Sequence, residues 1–211
     1  MTDAEHYKRQ IAGARSRAAG EFFERQIEGS LNWHFERGLL KATKTPEPMK
    51  PLRPMPGGKF IACYEKKAQV DFCGTMYGGR SCRFEAKQTD TDRFERKRLS
   101  DEQMRDLRDH QSLGALCFVL ICFGVDHFYR IPWEAWDHMK QQFGRLYITE
   151  ADVQRFRLPY VGGVIKILNG IIDVNDLPPM KVLPDICVSC GTYAGEGSHV
   201  CPNCRREAAE E

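Results

Sequence analysis

A chain of 211 residues can hold one sizeable core and a small appendage, and 42% hydrophobic with 28% charged residues is the balance of an ordinary globular protein. The formal net charge of +2 does not by itself point to nucleic acid, and the longest apolar stretch, residues 113–125, falls short of the ~18 residues of a membrane span. The opening residues MTDAEHYKRQ are polar and contain no secretory segment. The expected setting is therefore the cytoplasm, with no membrane partner and the nine cysteines reduced.

Residues 4–36 contain no proline, and Ile11, Phe22, Phe23, Ile27, Leu31 and Phe35 recur at spacings near three and four, which predicts helix. Gly13, Gly20 and Gly29 weaken it, so two helices, or an arm followed by one helix, are both compatible with the pattern. Arg15 and Arg17 read by pattern alone as plain solubility. Glu24 reads by pattern alone as a solvated helix carboxylate.

Residues 43–59, TKTPEPMKPLRPMPGGK, carry five prolines and four basic side chains. Proline at this density excludes helix and interior strand, so the segment must project or cross as an extended piece. A flexible linker between domains is one reading of it, and an insertion that interrupts a single domain is the other, favoured by the chemistry-rich residues that follow at once.

Residues 70–89, VDFCGTMYGGRSCRFEAKQT, read as a β-hairpin turning at Tyr77-Gly78-Gly79. Asp71 is placed on the first strand. Glu85 and Lys87, two apart on the second, leave the same face of the sheet, while Phe72, Phe84 and Ala86 bury the other. Two carboxylates converging beside an ammonium are costly unless something pairs them, and a divalent ion is the natural partner. Their oxygens suit Mg²⁺, which keeps waters and takes phosphate oxygens as further ligands. Lys87 could then orient the attacking water or neutralise charge developing on a phosphate. A solvent-facing salt bridge from Lys87 to Asp71 or Glu85 is the competing reading.

A polar loop follows, and Ser100 with Gln103 three residues on forms a capping-box pattern for a helix. Arg93, Arg96, Lys97, Arg98, Arg105 and Arg108 make the region basic enough to follow a DNA backbone, but neighbouring acidic residues largely offset them, and each alone reads as solvated surface. Residues 113–123 predict a central strand and 127–131 a second one. Residues 132–143 predict a helix opening on Pro132, with Trp133, Trp136 and Met139 packed on one side. Residues 146–177 predict a short helix near Thr149 and short apolar strands, with no chemistry of their own.

Near the C-terminus, Cys187-Val-Ser-Cys190 and Cys201-Pro-Asn-Cys204 are two C-x-x-C knuckles ten residues apart, the spacing with which two pairs bite one tetrahedral Zn²⁺. About twenty residues cannot build a core, so zinc would supply the folding energy of this module. Cys63, Cys73, Cys82, Cys117 and Cys122 lack paired spacing and read as small apolar residues in strands.

The Asp, short hairpin and Glu-Ala-Lys order resembles the metal-binding core of PD-(D/E)xK nucleases, and residues 70–89 as a whole are similar to the corresponding segment of RecU-type Holliday junction resolvases. Gly20-Glu21-Phe22-Phe23-Glu24 is similar to that family's opening G-x-x-F-E motif. The resemblance covers roughly residues 15–140 and does not extend to the cysteine knuckles. It implies an α/β fold with a restriction-endonuclease-like core over residues 1–180, a mixed central sheet flanked by helices and a projecting stalk over about 45–69, to which the cysteine spacing adds a small zinc ribbon at 185–206. It implies a homodimer that cuts four-way DNA junctions with Mg²⁺ or Mn²⁺. Asp71 and Glu85 would hold the ion with help from Glu24, Lys87 would handle the water, and Gln103, with Gln111 as substitute, would position it. Lys50, Arg53 and Lys59 on the stalk join Arg15 and Arg17 as candidate DNA contacts. A nuclease of the same fold acting on other DNA, and a non-catalytic adaptor using the zinc ribbon, are the rival readings.

Overall fold

The computed structural model describes residues 3–46, 48–64 and 69–172. All but the last of these belong to one unit, Met1–Ile171. Asp3–Glu36 is a single continuous helix, α1, so neither the break nor the separate arm allowed by its glycines occurs. Phe23, Ile27, Ser30, Leu31 and His34 form its buried strip. No described helix is long and apolar enough to cross a membrane.

Six strands and a helix follow: β1 (Leu40–Lys44), β2 (Met49–Pro54), β3 (Phe60–Tyr64), β4 (Phe72–Met76), β5 (Ser81–Thr89), β6 (Arg93–Glu95) and α2 (Asp101–Ser112). The remainder comprises β7 (Leu116–Phe123), β8 (His127–Pro132), α3 (Trp133–Asp137), α4 (Met139–Phe143), β9 (Tyr147–Thr149), β10 (Tyr160–Val161) and β11 (Val164–Ile165). Five strands make the central sheet in the order β1-β4-β5-β7-β8. It is mixed: β5 and β7 run parallel, joined through α2, and the other neighbours are antiparallel.

The two faces are covered by different helices. Phe72, Phe84 and Phe118 stack across three strands at ring separations of 4.9 and 4.7 Å, on the face where Phe23 of α1 stacks on Phe128 at 5.7 Å. On the other face Val119, Ile121 and Ile131 pack with Leu107 of α2 and with Trp133 and Trp136 of α3. Strand register then assigns Glu85, paired with Val119, and Lys87, paired with Ile121, to the α2 face.

The predicted hairpin is present as β4 and β5, with Gly78 and Gly79 of the turn at φ of 82° and 86°. Asp71 sits one residue ahead of β4 rather than on it. The strand β1 was not expected from LKATK, which has little β propensity. It exists because it pairs along the whole of β4, and Gly74 permits the approach: a Cβ there would lie 2.1 Å from the Lys41 carbonyl oxygen.

The proline-rich stretch is not a single extended piece. Within it β2 pairs antiparallel with β3 alone, with an irregularity between Pro51 and Arg53, and all of β2 is exposed. Both strands of a two-stranded ribbon are edges, so prolines can stand where no ladder bond is needed. Two further expectations are corrected. The loop after the hairpin contains β6, which pairs with β9. The helix expected over 132–143 is two short ones, parted at His138, although Trp133, Trp136 and Met139 are all buried as expected. Cys82, Cys117 and Cys122 are buried in strands, whereas Cys63 is exposed on β3. The four knuckle cysteines lie outside the described residues.

Phe84 lies at the centre of the three-ring stack and is fully buried. Phe84→Ala should lower the unfolding free energy by about 3–5 kcal/mol in chemical denaturation, since the rings on either side cannot collapse across the gap.

Candidate active site

The site follows from a mismatch in strand length. Ladder pairing of β4 with β5 ends at Phe72 and Phe84, while β7 accompanies β5 on its other side as far as Thr89. The second half of β5 therefore presents an unpaired backbone edge, and side chains fill it. Asp71, just ahead of β4, accepts the Ala86 N–H on Oδ2 at 3.0 Å, and its own backbone N–H donates to Glu85 Oε2 at 3.2 Å.

Glu85 is 0% exposed. Its Oε1 accepts from the Lys87 ammonium and from the Gln103 side-chain amide, the latter at 2.6 Å. Lys87 Nζ is also 3.8 Å from Asp71 Oδ2, so one ammonium serves two carboxylates. Burial, and next the charge of Asp71, push the Glu85 carboxyl up to about 7, with Lys87 opposing them. Ser100 and Gln103 form the expected capping box of α2, Ser100 Oγ accepting the Gln103 N–H at 3.2 Å and Gln103 Oε1 accepting the Ser100 N–H at 3.0 Å. The cap and the site are one device: the amide oxygen holds the helix end and the amide nitrogen holds Glu85. Gln111 is engaged elsewhere, with Glu134 and the Cys117 N–H.

Glu24 is not brought to these carboxylates. It bonds Lys44 Nζ at 2.5 Å on the α1 face of the sheet, whereas Glu85 and Lys87 are on the opposite face. Lys44, the partner of Glu24, was not singled out by the sequence, because it ends the unforeseen strand β1. The hydrogen bond that it donates to Glu24 holds its ammonium above the ordinary lysine range, against burial, with a smaller contribution from Asp71. Lys44 is thus paired with the α1 carboxylate and feels the charge of Asp71 as well.

Among the described residues no group of three or more acidic, His or Cys side chains could hold a metal ion. Asp71 and Glu85 are the donor pair that remains, and two hard carboxylates suit Mg²⁺ or Mn²⁺, which complete their shell with water and phosphate oxygens. Arg15, Arg17, Lys50, Arg53 and Lys59 are all exposed, the last three on the ribbon.

The family model described as Recombination protein U matches residues 18–164, well over half of the chain. The protein belongs to the Recombination protein U family. The match takes in Glu24, Lys44, the ribbon, Asp71, Glu85, Lys87 and Gln103 and stops short of the cysteine knuckles. Comparison with curated proteins gives no match. Among solved structures, the 1.6 Å structure of Hjc, a Holliday junction resolvase from the archaeal hyperthermophile Archaeoglobus fulgidus, is 17% identical, with a TM-score of 0.39 over 64% of this chain and 91% of that one. That likeness is too loose to bear on the site.

A carboxyl raised from 4.5 to about 7 binds its proton in the native state where the unfolded chain has lost it. Its contribution is therefore most favourable to folding at low pH and declines as pH rises through 7. With a chelator present, Glu85→Gln should gain stability relative to the wild type by roughly 2 kcal/mol between pH 5 and pH 8, read as melting temperatures across the range.

Proposed function

We propose that Asp71, Glu85, Lys87 and Gln103 are the catalytic constellation of a Mg²⁺- or Mn²⁺-dependent endodeoxyribonuclease. As a member of its family the protein is a structure-specific, junction-resolving nuclease. The observation that carries the residue assignment is the convergence of two carboxylates, an ammonium and an amide on the unpaired half of β5.

Asp71 and Glu85 would hold the ion, which when bound supplies Lewis-acid charge to the scissile phosphate. Glu85 must be deprotonated to hold the ion, so its raised carboxyl would make metal binding stronger as pH rises through 7. Lys87, bonded to Glu85 beside the carboxylate pair, would orient the attacking water. Gln103 keeps Glu85 from rotating out of the site, at the cost of no extra freedom, because the helix cap already fixes it. Glu24 assists by holding Lys44 at the mouth, where an ammonium can meet a phosphate oxygen.

The protein would act as a homodimer on four-way junctions, one cut per protomer, with the ribbon as the stalk. Arg15, Arg17, Lys50, Arg53 and Lys59 would contact DNA phosphates. Cys187, Cys190, Cys201 and Cys204 would bind one structural Zn²⁺, for which the paired C-x-x-C spacing is the support.

The test is cleavage of a labelled four-way junction beside linear duplex of the same sequence, with Mg²⁺. Wild type should nick the junction symmetrically, and Glu85→Ala and Lys87→Ala should each lose at least about 10³-fold in rate, the scale of removing a principal transition-state contact. Replacing residues 46–68 with a short Gly-Ser loop should abolish junction selectivity while leaving nicking of duplex. Equal cutting of junction and duplex by the wild type would move the assignment to another DNA substrate, and Glu85→Ala with undiminished cutting would remove this site. Elemental analysis of purified protein should find one zinc per chain, lost in Cys187→Ser/Cys201→Ser.

A further inference from the structure

The unpaired edge of β5 has a second occupant. Arg98 Nη2 donates to the Gln88 carbonyl oxygen at 2.9 Å, and its guanidinium lies over the ring of the buried Phe94, 4.3 Å from the centroid. Alternate residues of a strand direct their backbone groups to the same neighbour, so the Ala86 N–H taken by Asp71 and the Gln88 carbonyl taken by Arg98 lie along one edge. Two residues at 3.3 Å each separate these anchor points by about 7 Å. A guanidinium is therefore next in line after the carboxylate that begins the site, and one residue beyond Lys87.

Its charge is only partly answered. The hollow beside it is lined by Thr91, Asp92, Arg93 and Glu95, and the nearer-acting carboxylate, Glu95, already faces Lys97 at 2.6 Å and Arg93 at 3.8 Å. The carbonyl bond uses one of five N–H donors. The aromatic ring and the carbonyl fix the plane of the group, so a ligand that needs a planar fork meets it already ordered, and phosphate is the ligand such a fork fits. Capping a strand carbonyl needs no guanidinium, since any short donor would serve.

We propose that Arg98 is a substrate-binding residue that grips the phosphate of the cut strand next to the scissile one and so sets which phosphodiester reaches Asp71 and Glu85. The assignment rests on the nuclease reading of that pair. Arg98 contributes by register rather than by chemistry on the water. Its removal shifts and loosens cutting, and does not abolish it.

The experiment compares Arg98→Gln and Arg98→Lys with wild type on an end-labelled four-way junction. Single-turnover cleavage is read at nucleotide resolution, and equilibrium binding is measured in the Glu85→Ala background at several salt concentrations. Arg98→Gln should bind about five- to tenfold more weakly near 0.1 M salt, with a log–log salt slope smaller by about 0.9, the signature of one lost phosphate contact. Its cuts should spread to neighbouring phosphodiesters. Arg98→Lys should restore the salt slope but not the single cut position, because it keeps the charge and lacks the fork. An unchanged slope and unchanged cut position in Arg98→Gln overturns the inference while wild-type cutting leaves the nuclease reading intact. So does a lowered melting temperature with an unaltered slope, which would make Arg98 a strand cap alone. A wild type that cuts neither junction nor duplex overturns the nuclease reading itself and this inference with it.

Discussion

A carboxylate with no exposure to water is the constraint on which this structure turns. Glu85 sits on the α2 face of a central strand, among Val, Ile and Trp side chains, where an unpaired charge would cost several kcal/mol. It is tolerated because every neighbouring element lends it something: β5 itself provides Lys87, the residue before β4 a backbone N–H, and α2 an amide. Those partners satisfy it without neutralising it fully, which is why its carboxyl is held near 7 rather than in the ordinary range. The fold keeps a charged group half reconciled to burial, and a divalent cation is the partner that would complete the reconciliation.

The geometry behind this is a short strand. Because β4 stops at Phe72 while β5 and β7 run on together, a half-buried stretch of sheet edge is left unpaired, flanked by helices on both faces. Buried backbone groups must find partners, and here side chains supply them. Asp71 and Arg98 are both used in this way, each satisfying a backbone group of β5. Structural and chemical roles are not alternatives at these positions. Gln103 makes the same point, with one end of its amide in the helix cap and the other on Glu85.

Much of this was legible in the sequence, for identifiable reasons. The hairpin, the same-face relation of Glu85 and Lys87 and the cap at Ser100 are local, fixed by period-two alternation, a Gly-Gly turn and a three-residue spacing. The strand β1 was not legible, because LKATK has no local reason to be extended and becomes a strand only through β4. Lys44 went unread with it, and so did the fact that Glu24 meets Lys44 instead of the carboxylate pair. Pattern put Glu24 on a helix, but which face of the sheet that helix covers is a tertiary fact. Arg98 was visible only as one of six basic residues in a loop and the helix that follows it. Nothing in its sequence neighbourhood distinguishes it, since what singles it out is the end of a strand more than twenty residues earlier.

The prolines of β2 have a consequence for how these molecules coexist. A ribbon that leaves the body and exposes Met49, Leu52, Met55 and Phe60 is, by composition, an invitation for another chain to add a strand. Pro51 and Pro54 withdraw donors from that strand, and the irregularity beside them spoils the flat register that a third strand would copy. Apolar side chains can therefore be carried far from the core, available to a partner that recognises side chains, while the backbone refuses the commonest form of self-association. Sheet growth is blocked by the same residues that hid the ribbon from a reading of the sequence.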